Sequence, residues 1–254
     1  MIDAAPPAPA AYRPDRAPWG VRDIGWTLLV TIVAMAGIFT VLALVLRLID
    51  ARDAADDDSR VTLILLAGQL ALDLAAVGAA AGFSIAKYGL PSAAWGLVRP
   101  VRLNGWPIFL TLLGCYGALW AYGIVTYLLG IESLRPESNV EGRLFDNVAV
   151  VPFAVAFAVV VAPVCEELFF RGFLFHGLWP RLGMWGAAAL SGLAFGAIHV
   201  TGADKIGLVI PFAVIGALFA RLVSRTGSLW NSIAAHCIFN VLGVAAYFAT
   251  KVAS

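Results

Sequence analysis

The feature that most constrains this chain is a series of long apolar runs, several of them long enough to cross a lipid bilayer. The first run, residues 24–46, contains no charged side chain. A transmembrane helix needs about 20 mainly apolar residues, whereas the apolar part of a signal peptide has about 7–15. This run therefore predicts a transmembrane helix that is retained in the protein.

The composition supports the same conclusion for the whole chain. Hydrophobic residues make up 61% of the 254 residues and charged residues 13%, against about 25% charged residues in a typical soluble domain. A soluble fold of this size would leave a large apolar patch in water. We therefore predict an all-α, polytopic bundle of transmembrane helices with about seven to eight spans.

Polar segments divide the sequence into three regions. Residues 1–23 are rich in Pro and Ala and are predicted to be a disordered N-terminal tail. Residues 24–147 are predicted to hold three transmembrane helices and, at 87–104, an interfacial connector. Residues 148–250 form a C-terminal helical core. The predicted spans are 24–46, 61–86, 105–129, 148–177, 184–200, 207–223 and 229–250.

The distribution of Lys and Arg predicts the orientation in the membrane. If the N-terminus is cytoplasmic, the cytoplasmic segments carry ten of these residues and the opposite segments seven, as the positive-inside rule requires. The 14 Arg against three Lys, with abundant Ala, indicate a GC-rich bacterial genome and hence a bacterial plasma membrane. No basic stripe suggests binding to nucleic acid.

Ionisable residues inside the predicted spans are the candidates for function, because they are costly in lipid. Asp73 lies in the second span, and Glu166, Glu167 and Arg171 lie in the fourth. On a helix Glu167 and Arg171 share a face, one turn apart, so we predict an ion pair between them. Glu166 is rotated by about 100° and has no local partner, which suits a general base.

All three histidines fall in the C-terminal third of the chain. Phe195 and His199 share one face of the fifth span, and His236 and Asn240 share one face of the seventh. Buried polar groups need partners, so we expect both histidines and Asn240 to meet the two glutamates around a wet cavity. His176 lies at the predicted edge of the membrane and is expected to be interfacial.

This cluster permits two chemistries. It can activate water, with a carboxylate as base and His and Asn side chains as oxyanion donors. It can also hold zinc, since one Glu and two His are acceptable ligands, although the sequence lacks the HExxH motif of common zinc proteases.

Two readings without hydrolysis also remain open. One is a membrane immunity or scaffold protein that keeps the cluster for its fold. The other is a proton-coupled transporter that uses Glu166 and Asp73, although the sequence shows no internal repeat.

The spacing of these residues resembles the three-motif signature of the CPBP family, the intramembrane CAAX-protease and bacteriocin-processing enzymes also called the Abi family. The resemblance covers residues 148–247, and all three motifs fall in apolar spans in the family order. It implies an intramembrane endopeptidase of the CAAX prenyl protease-like type, which acts on peptide or protein substrates in contact with membrane lipid. The motifs are Glu166-Glu167-x-x-x-Arg171, Phe195-x-x-x-His199 and His236-x-x-x-Asn240.

The resemblance also implies roles for these residues. Glu166 and His199 are expected to activate the attacking water, and His236 with Asn240 to stabilise the oxyanion. Glu167, Arg171 and Phe195 are expected to support them, with no cofactor. An older view of the family makes the same residues zinc ligands. We prefer the metal-free scheme because Asn is a poor zinc ligand but a good oxyanion donor.

Overall fold

The structure, a computed structural model, describes residues 17–50, 58–99, 101–134, 150–200 and 203–253. Within these ranges the protein is helical and has no β-strand, which confirms the predicted all-α class. The helices are α1 (Val21–Asp50), α2 (Asp58–Ala81), α3 (Gly105–Leu128), α4 (Val151–Ala156), α5 (Ala162–Glu167), α6 (His176–Ile198), α7 (Val209–Thr226) and α8 (Leu229–Ala253).

Shorter helical turns connect or extend these elements. Three of them are π-helical, with a wider turn than an α-helix, and two of the three join α4, α5 and α6 into one continuous run. The π-helical segments are Gly82–Ala86, Phe157–Val161 and Leu168–Phe175, and the 3₁₀ helices are Ser92–Trp95, Glu132–Leu134 and Ala203–Leu208.

Six helical runs in the described residues are long and apolar enough to cross a membrane, so the protein is a multi-pass membrane protein. The fourth run, Val151–Ile198, has 48 residues and is about 72 Å long at 1.5 Å per residue, more than twice the thickness of a bilayer core. Its backbone breaks at Gly183, where φ is 67° and ψ is 173°. The count of six in the described residues is close to, but below, the predicted seven to eight spans.

The segment before α1 is folded against the rest of the protein. The Trp19 side chain is fully buried, and its Nε1 donates a hydrogen bond to the carbonyl oxygen of Phe173 at 2.9 Å. Helix α1 begins at Val21, three residues before the predicted start. Residues 17–23 therefore do not belong to a disordered tail, while residues 1–16 lie outside the described part of the chain.

The predicted connector at 87–104 is attached to the start of α8. The Leu229 amide donates to the Gly96 carbonyl at 2.8 Å, and the Asn104 amide donates to Asn231 Oδ1 at 2.7 Å. These bonds satisfy backbone groups that a helix start leaves free. The connector thereby fixes where α8, the helix that carries His236 and Asn240, enters the bundle.

Helices α6 and α7 pack with almost no side-chain layer between them. A Cβ atom added to Gly192 would lie 2.4 Å from the Ala213 carbonyl oxygen, and one added to Gly196 would lie 2.4 Å from the Val209 carbonyl oxygen. The two glycines form the small-xxx-small spacing that lets membrane helices approach closely. This contact fixes the end of α6 that carries Phe195 and His199.

We expect Gly192→Ala to destabilise the protein by about 1–3 kcal/mol, because the added methyl group forces two packed backbones apart. The matched control is Gly243→Ala, since no atom lies within 4 Å of a Cβ at that position. Unfolding in detergent with increasing SDS measures both. Equal stability of the two variants would contradict this description of the α6–α7 contact.

Candidate active site

The Glu167 carboxylate lies at the centre of the candidate site and is fully buried. Its Oε1 accepts a hydrogen bond from Arg171 Nη1 at 2.7 Å and contacts His236 Nδ1 at 3.0 Å. Its Oε2 accepts a hydrogen bond from Ser232 Oγ at 2.5 Å. The predicted Glu167–Arg171 ion pair is confirmed. Because Ser232 and His236 belong to α8, this one side chain also joins two transmembrane segments.

The Arg171 guanidinium is enclosed by aromatic rings instead of by further acceptors. Its Cζ lies 4.4 Å from the centre of the Phe195 ring and 5.3 Å from that of Phe219. Nε and Nη2 have no hydrogen-bond partner in the described residues, so the ring faces and Glu167 provide the compensation for the charge. A Cβ atom at Gly216 would lie 3.1 Å from Nη2, which shows how closely α7 encloses the group.

Glu166 differs from its neighbour in having few contacts. The Glu166 side chain is 20% exposed, and its Oε2 lies 3.8 Å from His236 Nε2, beyond a direct hydrogen bond. A carboxylate only accepts, so the contact with Glu167 makes Nδ1 of His236 the donor and directs its Nε2 towards Glu166. Of the two carboxylates, Glu166 is therefore the one that is partly exposed.

His199 packs at the end of α6 beside Phe195. The two rings are 4.6 Å apart, and the His199 ring stacks on Phe212 at 4.3 Å. His199 Nδ1 lies 2.7 Å from the Phe195 carbonyl oxygen, which only accepts, so Nδ1 carries the proton and Nε2 is the acceptor of the neutral ring. In the described residues no hydrogen bond or ion pair joins His199 to either glutamate.

Asn240 has a contact that the sequence does not predict. Its Nδ2 donates to the Ala158 carbonyl oxygen at 2.7 Å, within the π-helical segment Phe157–Val161. In such a segment the regular ladder of backbone hydrogen bonds is interrupted, and a side-chain donor can satisfy a released carbonyl. One amide N–H of Asn240 thus ties α8 to the run that carries the glutamates.

The last of the three π-helical segments, Leu168–Phe175, begins directly after Glu167 and contains Arg171. Two of its backbone carbonyls receive side-chain donors from elsewhere: Ser191 Oγ donates to the Phe170 oxygen at 2.9 Å, and Trp19 Nε1 to the Phe173 oxygen. π-helical turns are uncommon and often occur at functional sites. The backbone of this segment therefore indicates a functional site even without its charged side chains.

Ser232 is the functional contact that the motifs leave out. A signal for it exists in the sequence, because Ser232, His236 and Asn240 follow one another at intervals of four residues and therefore share one face of α8. Ser191 and Phe219 give no comparable signal. Their importance depends on which helices lie next to each other, and spacing within one helix does not reveal that.

His176 is not interfacial, contrary to the prediction, because its side chain is fully buried. The connector covers it: a Cβ atom at Gly96 would lie 3.8 Å from His176 Cε1. His176 Nδ1 contacts the Gly172 carbonyl oxygen at 3.0 Å, and Nε2 has no partner in the described residues.

Asp73 lies in α2, a helix that packs against α5. Its Oδ1 accepts a hydrogen bond from Gln69 at 2.8 Å. Its Oδ2 is buried without a hydrogen-bond partner among the described residues.

Comparison with known proteins agrees with this geometry. Residues 148–242 match the family model described as "Type II CAAX prenyl endopeptidase Rce1-like", and the match contains every glutamate, histidine and asparagine of the three motifs. Over residues 148–242 the chain is therefore similar to this endopeptidase family, as the three motifs suggest.

The chain is also similar to a curated protein from Bacillus subtilis (strain 168), named "Putative membrane peptidase YdiL". It is 31% identical over 144 residues, which is 55% of this chain and 56% of the relative. The chain therefore spans about half the length of the curated relative that it matches. No solved structure matches the chain significantly.

We expect Glu167→Gln to destabilise the protein by about 3–5 kcal/mol, because it leaves the buried Arg171 without its charged partner. The adjacent Glu166→Gln removes the same charge from a side chain with looser contacts and is the matched control. Thermal unfolding in detergent compares them. The proposed importance of the ion pair is wrong if Glu167→Gln melts at the wild-type temperature.

Proposed function

We propose that this protein belongs to the CPBP family and is an intramembrane endopeptidase of the CAAX prenyl protease-like type, which hydrolyses peptide bonds with water activated by Glu166. One observation carries the proposal: Glu167 is occupied by three donors, whereas Glu166 is partly exposed and faces His236. A structural network needs only the first carboxylate. A second one beside it, in an apolar surrounding, suits a base.

In the proposed reaction Glu166 accepts a proton from water as the oxygen attacks the carbonyl carbon of the peptide bond. The proton then passes to the leaving amine, so the carboxylate is regenerated and a new carboxyl and a new amino terminus are formed. Nε2 of His199 is an acceptor in the neutral ring, which suits a second contact to the same water.

Stabilisation of the tetrahedral intermediate is assigned to His236 and Asn240. His236 can offer a proton from Nε2 only in its charged form, since Nδ1 is directed to Glu167. Asn240 keeps a second N–H beyond the one donated to Ala158, and this N–H is the proposed neutral donor.

The substrate is proposed to be a peptide or protein segment that reaches the site from the membrane, since the six apolar helical runs are long enough to span a bilayer. The described spans leave large side chains exposed around the bundle, among them Trp106, Trp120 and Phe153. We propose a bacterial plasma membrane and a cytoplasmic N-terminus, on the distribution of Lys and Arg described above.

We expect Glu166→Gln to lower the rate of peptide hydrolysis by about 10²–10⁴-fold, because glutamine keeps the shape but cannot accept a proton. The variant should remain inserted and folded, with an unfolding midpoint near that of the wild type. Substrates are first found by comparing the membrane peptides of cells that produce the wild type with those of cells that produce the variant. The rate is then measured with the purified protein on a peptide that differs.

This comparison also separates the enzyme from the immunity or scaffold protein. A scaffold keeps its phenotype in the Glu166→Gln variant, and the two cell types then yield the same membrane peptides. Hydrolysis of an identified substrate at the wild-type rate by the purified variant would contradict the assignment of Glu166 as the base.

The metal-free scheme has a test of its own. Among the described residues no three His, Cys, Asp or Glu side chains come together as a metal-binding group, and the zinc scheme would give Asn240 no role. We expect the purified protein to hydrolyse its substrate at an unchanged rate after treatment with strong chelators. Activity that is lost on chelation and restored by zinc, with about one zinc per chain by elemental analysis, would establish the zinc alternative.

A further inference from the structure

A cavity of about 440 Å³ opens at the N-terminal end of α1, away from the candidate active site. It is formed by the segment before α1 and the first turn of that helix, by the residue after Lys87, and by α6 just before the break at Gly183. We call it the interfacial cavity, and its lining residues are Pro18, Gly20, Val21, Arg22, Asp23, Tyr88 and Arg181.

Because the interfacial cavity lies at the ends of two spanning helices, we place it at the level of the lipid headgroups. It adjoins the first residues of one spanning helix and follows the last residues of another, which ends at Ala86. Val21 in the lining and Trp26 further along α1 are 61% and 56% exposed, as expected where a helix enters lipid. Any ligand of the cavity therefore meets both the bilayer surface and water.

The negative charge of Asp23, the acidic side chain in the cavity lining, is already neutralised by a neighbouring cation. Asp23 forms an ion pair with Lys87 at 2.6 Å and accepts hydrogen bonds from the Tyr88 hydroxyl at 3.1 Å and from the Gly20 amide at 3.0 Å. The hydrogen bond to Asp23 raises the pKa of the Lys87 ammonium above its ordinary value, so the pair persists at neutral pH. Asp23 therefore has no capacity left to neutralise other cations.

Two arginines complete the lining without an acidic partner. Within the described residues, Arg22 and Arg181 form no ion pair. Arg181 is nevertheless held in place: a Cβ atom at Gly20 would lie 2.4 Å from its Cζ, and its Nη1 donates to the Gly177 carbonyl oxygen at 3.3 Å. Two guanidinium groups thus line one cavity with an excess of positive charge.

We propose that the interfacial cavity binds the phosphate group of an anionic phospholipid. The planar guanidinium of Arg donates in pairs to phosphate oxygens, and two such groups in one cavity suit a phosphate better than a single carboxylate. A basic pocket between membrane helices is a known type of site for lipid headgroups. The lipid is favoured over free phosphate because the cavity borders directly on the lipid-exposed start of α1.

Binding at this position would stabilise the part of the bundle that supports the active site. Trp19, directly before Gly20, packs against Gly177 and donates to the Phe173 carbonyl in the π-helical segment that contains Arg171. A phosphate bound to both Arg22 and Arg181 would therefore connect α1 with α6, the helix that follows this π-helical segment. The proposal does not depend on the peptidase activity.

The test uses the purified full-length protein in a non-ionic detergent. Native mass spectrometry counts bound phosphatidylglycerol and phosphatidylcholine, and thermal unfolding is recorded with each lipid and with inorganic phosphate alone. We expect phosphatidylglycerol to bind more tightly than phosphatidylcholine and to raise the unfolding temperature. Arg22→Gln/Arg181→Gln should weaken phosphatidylglycerol binding by about tenfold or more, since hydrogen bonds between charged groups are lost.

The matched control is Arg102→Gln/Arg225→Gln, which removes the same charge from two exposed positions outside the cavity. It should bind phosphatidylglycerol like the wild type. If the cavity variant does not fold, Arg22→Gln alone serves, because Arg22 is exposed and forms no hydrogen bond or ion pair with its side chain among the described residues. Undiminished binding by the cavity variants would overturn the proposal. Stabilisation by inorganic phosphate, without a preference for phosphatidylglycerol, would assign the cavity to free phosphate instead.

Discussion

The buried Glu167 carboxylate is the interaction on which the rest of the site depends. It lies in an apolar interior and is stable there because Arg171, Ser232 and His236 all donate to it or contact it. An unpaired charge in such a place would cost several kcal/mol. The same contacts that make Glu167 tolerable also set the rotation of α8 and the orientation of the His236 ring. The same side-chain contacts therefore contribute both to the stability of the fold and to the geometry of the candidate site.

A second constraint acts on the backbone. The π-helical segments on both sides of the glutamates release carbonyl groups, and these are satisfied by Asn240, Ser191 and Trp19 from three other parts of the chain. Lipid offers no hydrogen bonds, so each released group needs a protein partner. Irregular backbone in the membrane is thus confined to places where neighbouring helices support it.

The sequence predicts the spans well because lipid imposes a simple rule of length and hydropathy. It also predicts the Glu167–Arg171 pair and the sharing of faces by Phe195 with His199 and by His236 with Asn240, since these depend on spacing along one helix. Spacing along one helix does not predict the contacts between different helices. The docking of Trp19, the burial of His176 and the attachment of the connector to α8 depend on which elements become neighbours, and no periodic pattern encodes that choice.

The central claim is that Glu167 positions His236 beside Glu166, and a double-mutant cycle tests it most directly. The unfolding free energies of the wild type, Glu167→Gln, His236→Gln and the double variant are measured in detergent with increasing SDS. Residues in one buried network usually show coupling of about 0.5–3 kcal/mol, and we predict coupling in the upper part of that range. Additive effects, with coupling below about 0.5 kcal/mol, would show that the two side chains act independently and would contradict the claim.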